Sequence, residues 1–117
     1  MANPNILNAT AIYGKTLGKA VAATATTIVA NSVSSGKIFK INSLFISNVD
    51  GTNAADVTVD VYNGTTPYDI ANAVTIPAGT AIDVLNKSIY LEEGFSLRTT
   101  ASAASDLEAV ASWEEIE

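Results

Sequence analysis

The adjacent acids Glu92 and Glu93, in the stretch YLEEGFSLRT, are the most direct offer of catalytic chemistry in this sequence. Two carboxyl groups facing one cleft, roughly 5–10 Å apart, are what glycoside hydrolysis requires. The rest of the chain supplies few helpers, because it contains no histidine and no cysteine. That excludes an imidazole base, a Ser-His-Asp triad, His-ligated zinc and thiolate chemistry. Neighbouring residues on a strand also point to opposite faces, so Glu92 and Glu93 do not converge on one substrate unless a turn redirects them. The pair is therefore expected to be a solvated corner between two strands, with Gly94 taking the backbone angle that other residues resist.

Three further constellations could carry chemistry. Asp50, Asn53, Asp56 and Asp60, in DGTNAADVTVD, cluster oxygen ligands of the kind that hold calcium. They lack the spacing and closing glutamate of an EF-hand, and read as a polar loop entering a strand. Glu114, Glu115 and Glu117 end the chain as a charge run, either solvated or turned toward a basic partner. Tyr62, Tyr68, Tyr90 and Trp113 offer stacking surfaces for a sugar, although Trp113 shares a strand face with Leu107, which favours core packing. No cofactor or metal site and no enzymatic activity are expected from these residues.

The elements that must carry them are strands. DVTVDVY places Val57, Val59 and Val61 on one face and Asp56, Thr58 and Asp60 on the other. FSLRTT sets Phe95, Leu97 and Thr99 against Ser96, Arg98 and Thr100. LEAVASWEEI sends Leu107, Ala109, Ala111 and Trp113 to one side. Its apolar period is two, which argues against a helix despite the Ala and Glu content. Further strands are expected at ATTIVAN, KIFKINSLFISNV, IANAVTI, TAIDVL and SIYL. The run 37–49 switches parity partway, so it is buried on both faces or carries a bulge near Asn42 and Ser43. Turn signals at SSGK, NVDGTNAAD, YNGTTPY, IPAGTA, EEGF and ASAASD separate these runs at the spacing of a sandwich or barrel. The expected fold is all-β: an antiparallel, jelly-roll-like β-sandwich of about eight strands with an N-terminal arm. Residues 1–20 form the arm and first strand, that strand lying around 9–13, and residues 21–117 the sandwich.

Charge and composition narrow the partners. The formal net charge is −6 and the six Lys and Arg are scattered, so nucleic-acid binding is not expected. The start MANPNILNATAIYGK lacks the basic and apolar regions of a signal peptide, and no run approaches the ~18 apolar residues of a membrane span. Yet only 15% of residues are charged, and the mean hydropathy is +0.26. A small lone domain usually carries more charge to stay apart from its copies. Either the surface is rich in Thr, Ser, Asn and Ala, or part of it is buried against neighbours. Ile6, Leu7, Ile12 and Tyr13 are the candidate partner-binding residues, on a segment that is either an edge strand of this domain or an arm reaching a neighbouring subunit.

The segments MANPNI, IYGKT, KINSLFISNVDGTNAADVTVDVYN and KSIYLEEGFSLRTTASAASDLEAVASWEEI resemble small virion structural proteins of tailed bacteriophages, particularly those of marine cyanophages. The resemblance implies a β-sandwich present in many copies on a capsid, neck or tail, assembled in the host cytoplasm. It transfers no residue roles. The implied partners are the major capsid protein or other virion proteins, with further copies of the same chain. Within that class the expectation is a capsid decoration, or cement, protein. A neck, tail or baseplate component and a glycan-binding module on the virion surface stand as alternatives.

Overall fold

The computed structural model describes residues 3–117. It shows the expected all-β sandwich of two antiparallel sheets, built among the described residues from nine strands: β1 (Ile12–Ala20), β2 (Thr26–Ala30), β3 (Ile38–Asn48), β4 (Ala55–Tyr62), β5 (Pro67–Ile76), β6 (Ala81–Asp83), β7 (Ile89–Leu91), β8 (Ser96–Ala101) and β9 (Leu107–Ile116). The first sheet runs β1-β9-β3-β6, with β7 also pairing with β3; the second runs β2-β8-β4-β5. β6 and β7 share one edge of β3, β6 opposite Phe45–Ser47 and β7 opposite Phe39–Ile41. Most connections cross between sheets. Val21, just after β1, donates its N–H to Leu107 O in the first sheet, and Ala22 O accepts from Ala101 N–H in the second.

Period-2 alternation sets the core. The inner face of the first sheet contributes Ile41, Leu44 and Ile46 from β3 and Leu107, Ala109, Ala111 and Trp113 from β9, all buried. The second sheet answers with Val57 and Val59 from β4 and Leu97 and Ala101 from β8, also buried. The parity switch in the long run is a β-bulge: the pairing of β3 with β9 shifts between Ile41 and Ser43, leaving Asn42 outside the ladder. One extra residue is what allows Ile41 and Leu44, three apart, to share the inner face.

The first strand differs from its expected position. It spans Ile12–Ala20 rather than 9–13, and pairs with β9 from Ile12↔Ile116 to Ala20↔Glu108. The segment is thus an edge strand of this domain. Gly14 and Gly18 make IYGKTLGKA a poor strand by its own composition. The uninterrupted ladder on β9 holds it extended.

Candidate interaction surface

The glutamate corner does not assemble a catalytic pair. Phe95 N–H donates to Glu92 O at 3.0 Å, and Gly94 N–H to Asn31 O at 2.8 Å, so the turn is pinned to the loop after β2. Gly94 has φ 83°, a left-handed value that favours glycine. Glu92 stays at the surface and accepts a bond from Asn3 Nδ2 at 2.9 Å. Glu93 departs from the expected solvated edge: both its carboxylate oxygens are buried and have no hydrogen-bond partner among the described residues. The turn sends the two side chains into different surroundings.

The other acids are similarly dispersed. Asp50 Oδ1 accepts from Thr52 N–H at 2.8 Å, and its Oδ2 from Asn53 Nδ2 at 3.3 Å. The Thr52 backbone bond first, then the Asn53 side chain, hold its pKa below the ordinary carboxylate value. Asp56 accepts from Thr75 Oγ1 at 2.7 Å. Asp60 takes a two-pronged bond from Arg98, at 2.8 and 3.3 Å, and the same guanidinium lies 4.1 Å from the Tyr62 ring centre. Each acid is committed to a separate partner. Among the described residues, no group of three or more Asp or Glu is close enough to hold a metal ion.

The aromatic residues do not share a platform. Tyr62 lies opposite Ser96 on the outer face of the second sheet, whereas Tyr68 lies opposite Val61, whose row faces inward. Tyr90 belongs to the first sheet, opposite Lys40. Trp113 is buried in the core, as its spacing with Leu107 predicts.

The C-terminal charge run is only partly solvated. Glu115 is buried, with Lys15 Nζ and Lys37 Nζ each 3.5 Å from its carboxylate. Trp113 Nε1 donates to it at 3.2 Å. A carboxylate tied to β1, to the segment before β3 and to the core tryptophan fixes how these elements meet.

The four candidate partner-binding residues occupy one end of the molecule, and all are exposed. Ile12 and Tyr13 open β1. Ile6 and Leu7 sit in a single 3-10 turn, Ile6–Asn8, whose first N–H groups are capped when Leu7 N–H donates to Asn5 Oδ1 at 3.0 Å. This segment is anchored on both sides: Asn3 bonds Glu92, and Ala11 exchanges backbone bonds with Glu117 at 3.1 and 3.0 Å. Between the anchors Leu7 is 89% exposed.

Two residues that fix the surface escaped the sequence reading. Asn31 and Asn48 are buried at strand ends. Asn31 Nδ2 donates to Lys37 O at 2.9 Å and Leu91 O at 3.0 Å, while its Oδ1 accepts from Ser35 Oγ. Asn48 Nδ2 donates to Asn53 O and Ile76 O, both at 2.9 Å, and its Oδ1 accepts from Asp50 N–H at 2.9 Å. Each ties a loop to a distant strand. Their only signal is an Asn at the end of an apolar run, which also marks an ordinary turn.

No protein-family model and no curated protein matches the chain. Among solved structures it is similar to a protein of Bacillus endospore appendages, described as a novel family of disulfide-linked pili. The identity is 18% and the TM-score 0.56, over 99% of this chain and 96% of that one. Two structures of a pentameric capsid protein isolated from metagenomic phage sequences match 86% of the chain at 19% identity and TM-score 0.46. The match spans 60% and 61% of those chains. At such identity the first likeness speaks to the fold, and the fold is the sandwich described above.

Proposed function

We propose that this chain is a non-enzymatic structural protein of a tailed-bacteriophage virion: a capsid decoration, or cement, protein that binds the assembled shell and braces adjacent capsomers. The observation that carries this reading is the anchored N-terminal loop, which displays Ile6 and Leu7 to solvent while both its ends are hydrogen-bonded to the sandwich. A tethered apolar loop loses little conformational freedom on docking, and so retains more of its burial energy as affinity. Ile12 and Tyr13 continue the exposed apolar segment into the start of β1, one on each face of the strand. The dispersed acids favour binding over catalysis, and a two-sheet sandwich suits a component packed among identical neighbours. The partner is the major capsid protein or another virion protein, met after synthesis in the host cytoplasm.

The double substitution Ile6→Ser with Leu7→Ser tests the reading, because both side chains are exposed and the domain should fold unchanged. Occupancy on purified shells of the parent particle is expected to fall by roughly tenfold or more, on a loss of about 1.4 kcal/mol or more. Unchanged occupancy overturns the loop's role. A count of about six or twelve copies per particle, instead of the hundreds expected of shell decoration, moves the protein to the neck, tail or baseplate. Retention on a glycan surface in a multivalent format points to the virion-surface glycan-binding module instead.

A further inference from the structure

Nothing between residues 3 and 20 belongs to the core: no residue of this stretch is buried, although β1 is paired with β9 along its whole length. Val21 is the first buried residue, its N–H held by Leu107 O. The stretch is therefore a strap laid along β9 and joined to the sandwich at one point. Its side chains add few ties. Asn3 bonds Glu92, Lys19 Nζ donates to Thr27 O at 3.2 Å, and Lys15 Nζ lies 3.5 Å from Glu115. Glu115 holds two further partners outside the strap, Lys37 and Trp113 Nε1. Lifting the strap thus leaves that buried carboxylate paired. The site beneath is less tolerant of being left open. The edge of β9 loses a nine-residue ladder of backbone bonds. Ile38 and Ile116 are buried although they point away from the core, in one row with Ile12. The strap crosses this end of the sheet between its bonds to Glu92 and Glu117.

We infer that copies of this chain trade straps, residues 3–20 of one copy pairing with β9 of another. The structure itself identifies what fits the vacated edge: a strap of this same sequence, in the register from Ile12↔Ile116 to Ala20↔Glu108. Exchange replaces every lost contact in kind, including the Lys15–Glu115 and Asn3–Glu92 ties and the cover over Ile38 and Ile116. What opposes it is the entropy of bringing two copies together, which falls as their local concentration rises. Opening is local, because every core residue from Val21 onward stays in place. Reciprocal exchange closes a dimer. Straps handed on in one direction link copies into a row.

This goes beyond attachment to a shell, and its test uses the protein alone, so failure here and failure of shell binding are separate results. The chain has no cysteine, which allows single thiols to be placed at will. Thr16 Oγ1 and Ser112 Oγ lie 3.4 Å apart across the β1–β9 ladder. Thr16→Cys and Ser112→Cys are made as two separate variants, each checked for folding by circular dichroism. A disulfide joining one variant to the other then requires the strap of the first on β9 of the second. The variants are mixed, incubated at high concentration under reducing conditions, diluted and oxidised. The mixture is expected to give covalent dimers at several times the yield of either variant alone. Gly18→Cys with Val110→Cys repeats the test one step along the ladder, where a Cβ on Gly18 would lie 3.9 Å from Val110 Cγ2. Mixed dimers from both pairs that never exceed those of the single variants, at any concentration, overturn the inference.

Discussion

β9 and β1 lie side by side and are paired along the whole length of β1, yet from Leu107 to Trp113 every second residue of β9 is buried and none of β1 is. The ladder is the same for both; the layer opposite is not. β9 faces the second sheet, while β1 lies at the edge of its own sheet with every residue exposed. Backbone pairing alone is enough to hold an extended strand, but only an opposing layer removes apolar side chains from water. Strand formation and core membership are thus separate consequences of the fold, and in this chain they part company at the edge.

The largest expected effect comes from cutting into the covered side of that comparison. Leu44 is fully buried on β3, just past the bulge. Leu44→Ala should destabilise the domain by about 3 kcal/mol, within the range for losing buried methyl groups and leaving a cavity. Urea denaturation reads this as a lower midpoint with little change in slope. A change below about 1 kcal/mol would mean that the sheets close over the gap, and that the inner face is less tightly packed than its burial implies.

A somewhat smaller effect is expected at Asn48, where the covered layer is closed by a polar group. Replacing it with Ala removes its bonds to Asn53 O, Ile76 O and Asp50 N–H. Ile76 O then loses a partner in a buried setting, at a cost of about 2 kcal/mol. Hydrogen exchange should show faster opening of the 49–54 loop and of the end of β5, with β1 unaffected. If β1 opens equally, the loop and the edge strand belong to one cooperative unit.

The same division explains what was legible in the sequence. DVTVDVY and LEAVASWEEI were readable because one face of each is covered, and covering imposes a period of two. The bulge at Asn42 was readable for the same reason, since the apolar parity on either side had to change. β1 was placed at 9–13 instead of Ile12–Ala20 because no face of it is buried, and without burial its residues carry no alternation. The start of β5 at Pro67 was hidden by a turn signal; an edge strand tolerates proline at its first residue. Glu93 was expected in water, and Glu115 in water or against a basic partner. Strand alternation places a side chain on a face, but whether that face meets a turn, a lysine or a tryptophan depends on residues far away in sequence. Asn31 and Asn48 were missed for that reason too: their partners Leu91 and Ile76 are 60 and 28 residues away.

The smallest effect is expected on the uncovered side, and it completes the comparison with Leu44. Leu17→Ala deletes the same atoms from a strand in the same sheet, two places across the ladder through Ala111. In dilute protein the change should be within about 0.5 kcal/mol, because a side chain already in contact with water gives up little burial and leaves no cavity. Alanine also keeps the backbone ladder intact, so β1 stays paired with β9. Urea denaturation of the Leu17→Ala and parent proteins in dilute solution checks this. Curves that coincide mark Leu17 as a residue outside the core. A large loss already in dilute solution would mean that β1 is packed within its own subunit, and that the contrast between β1 and β9 is smaller than their exposures indicate.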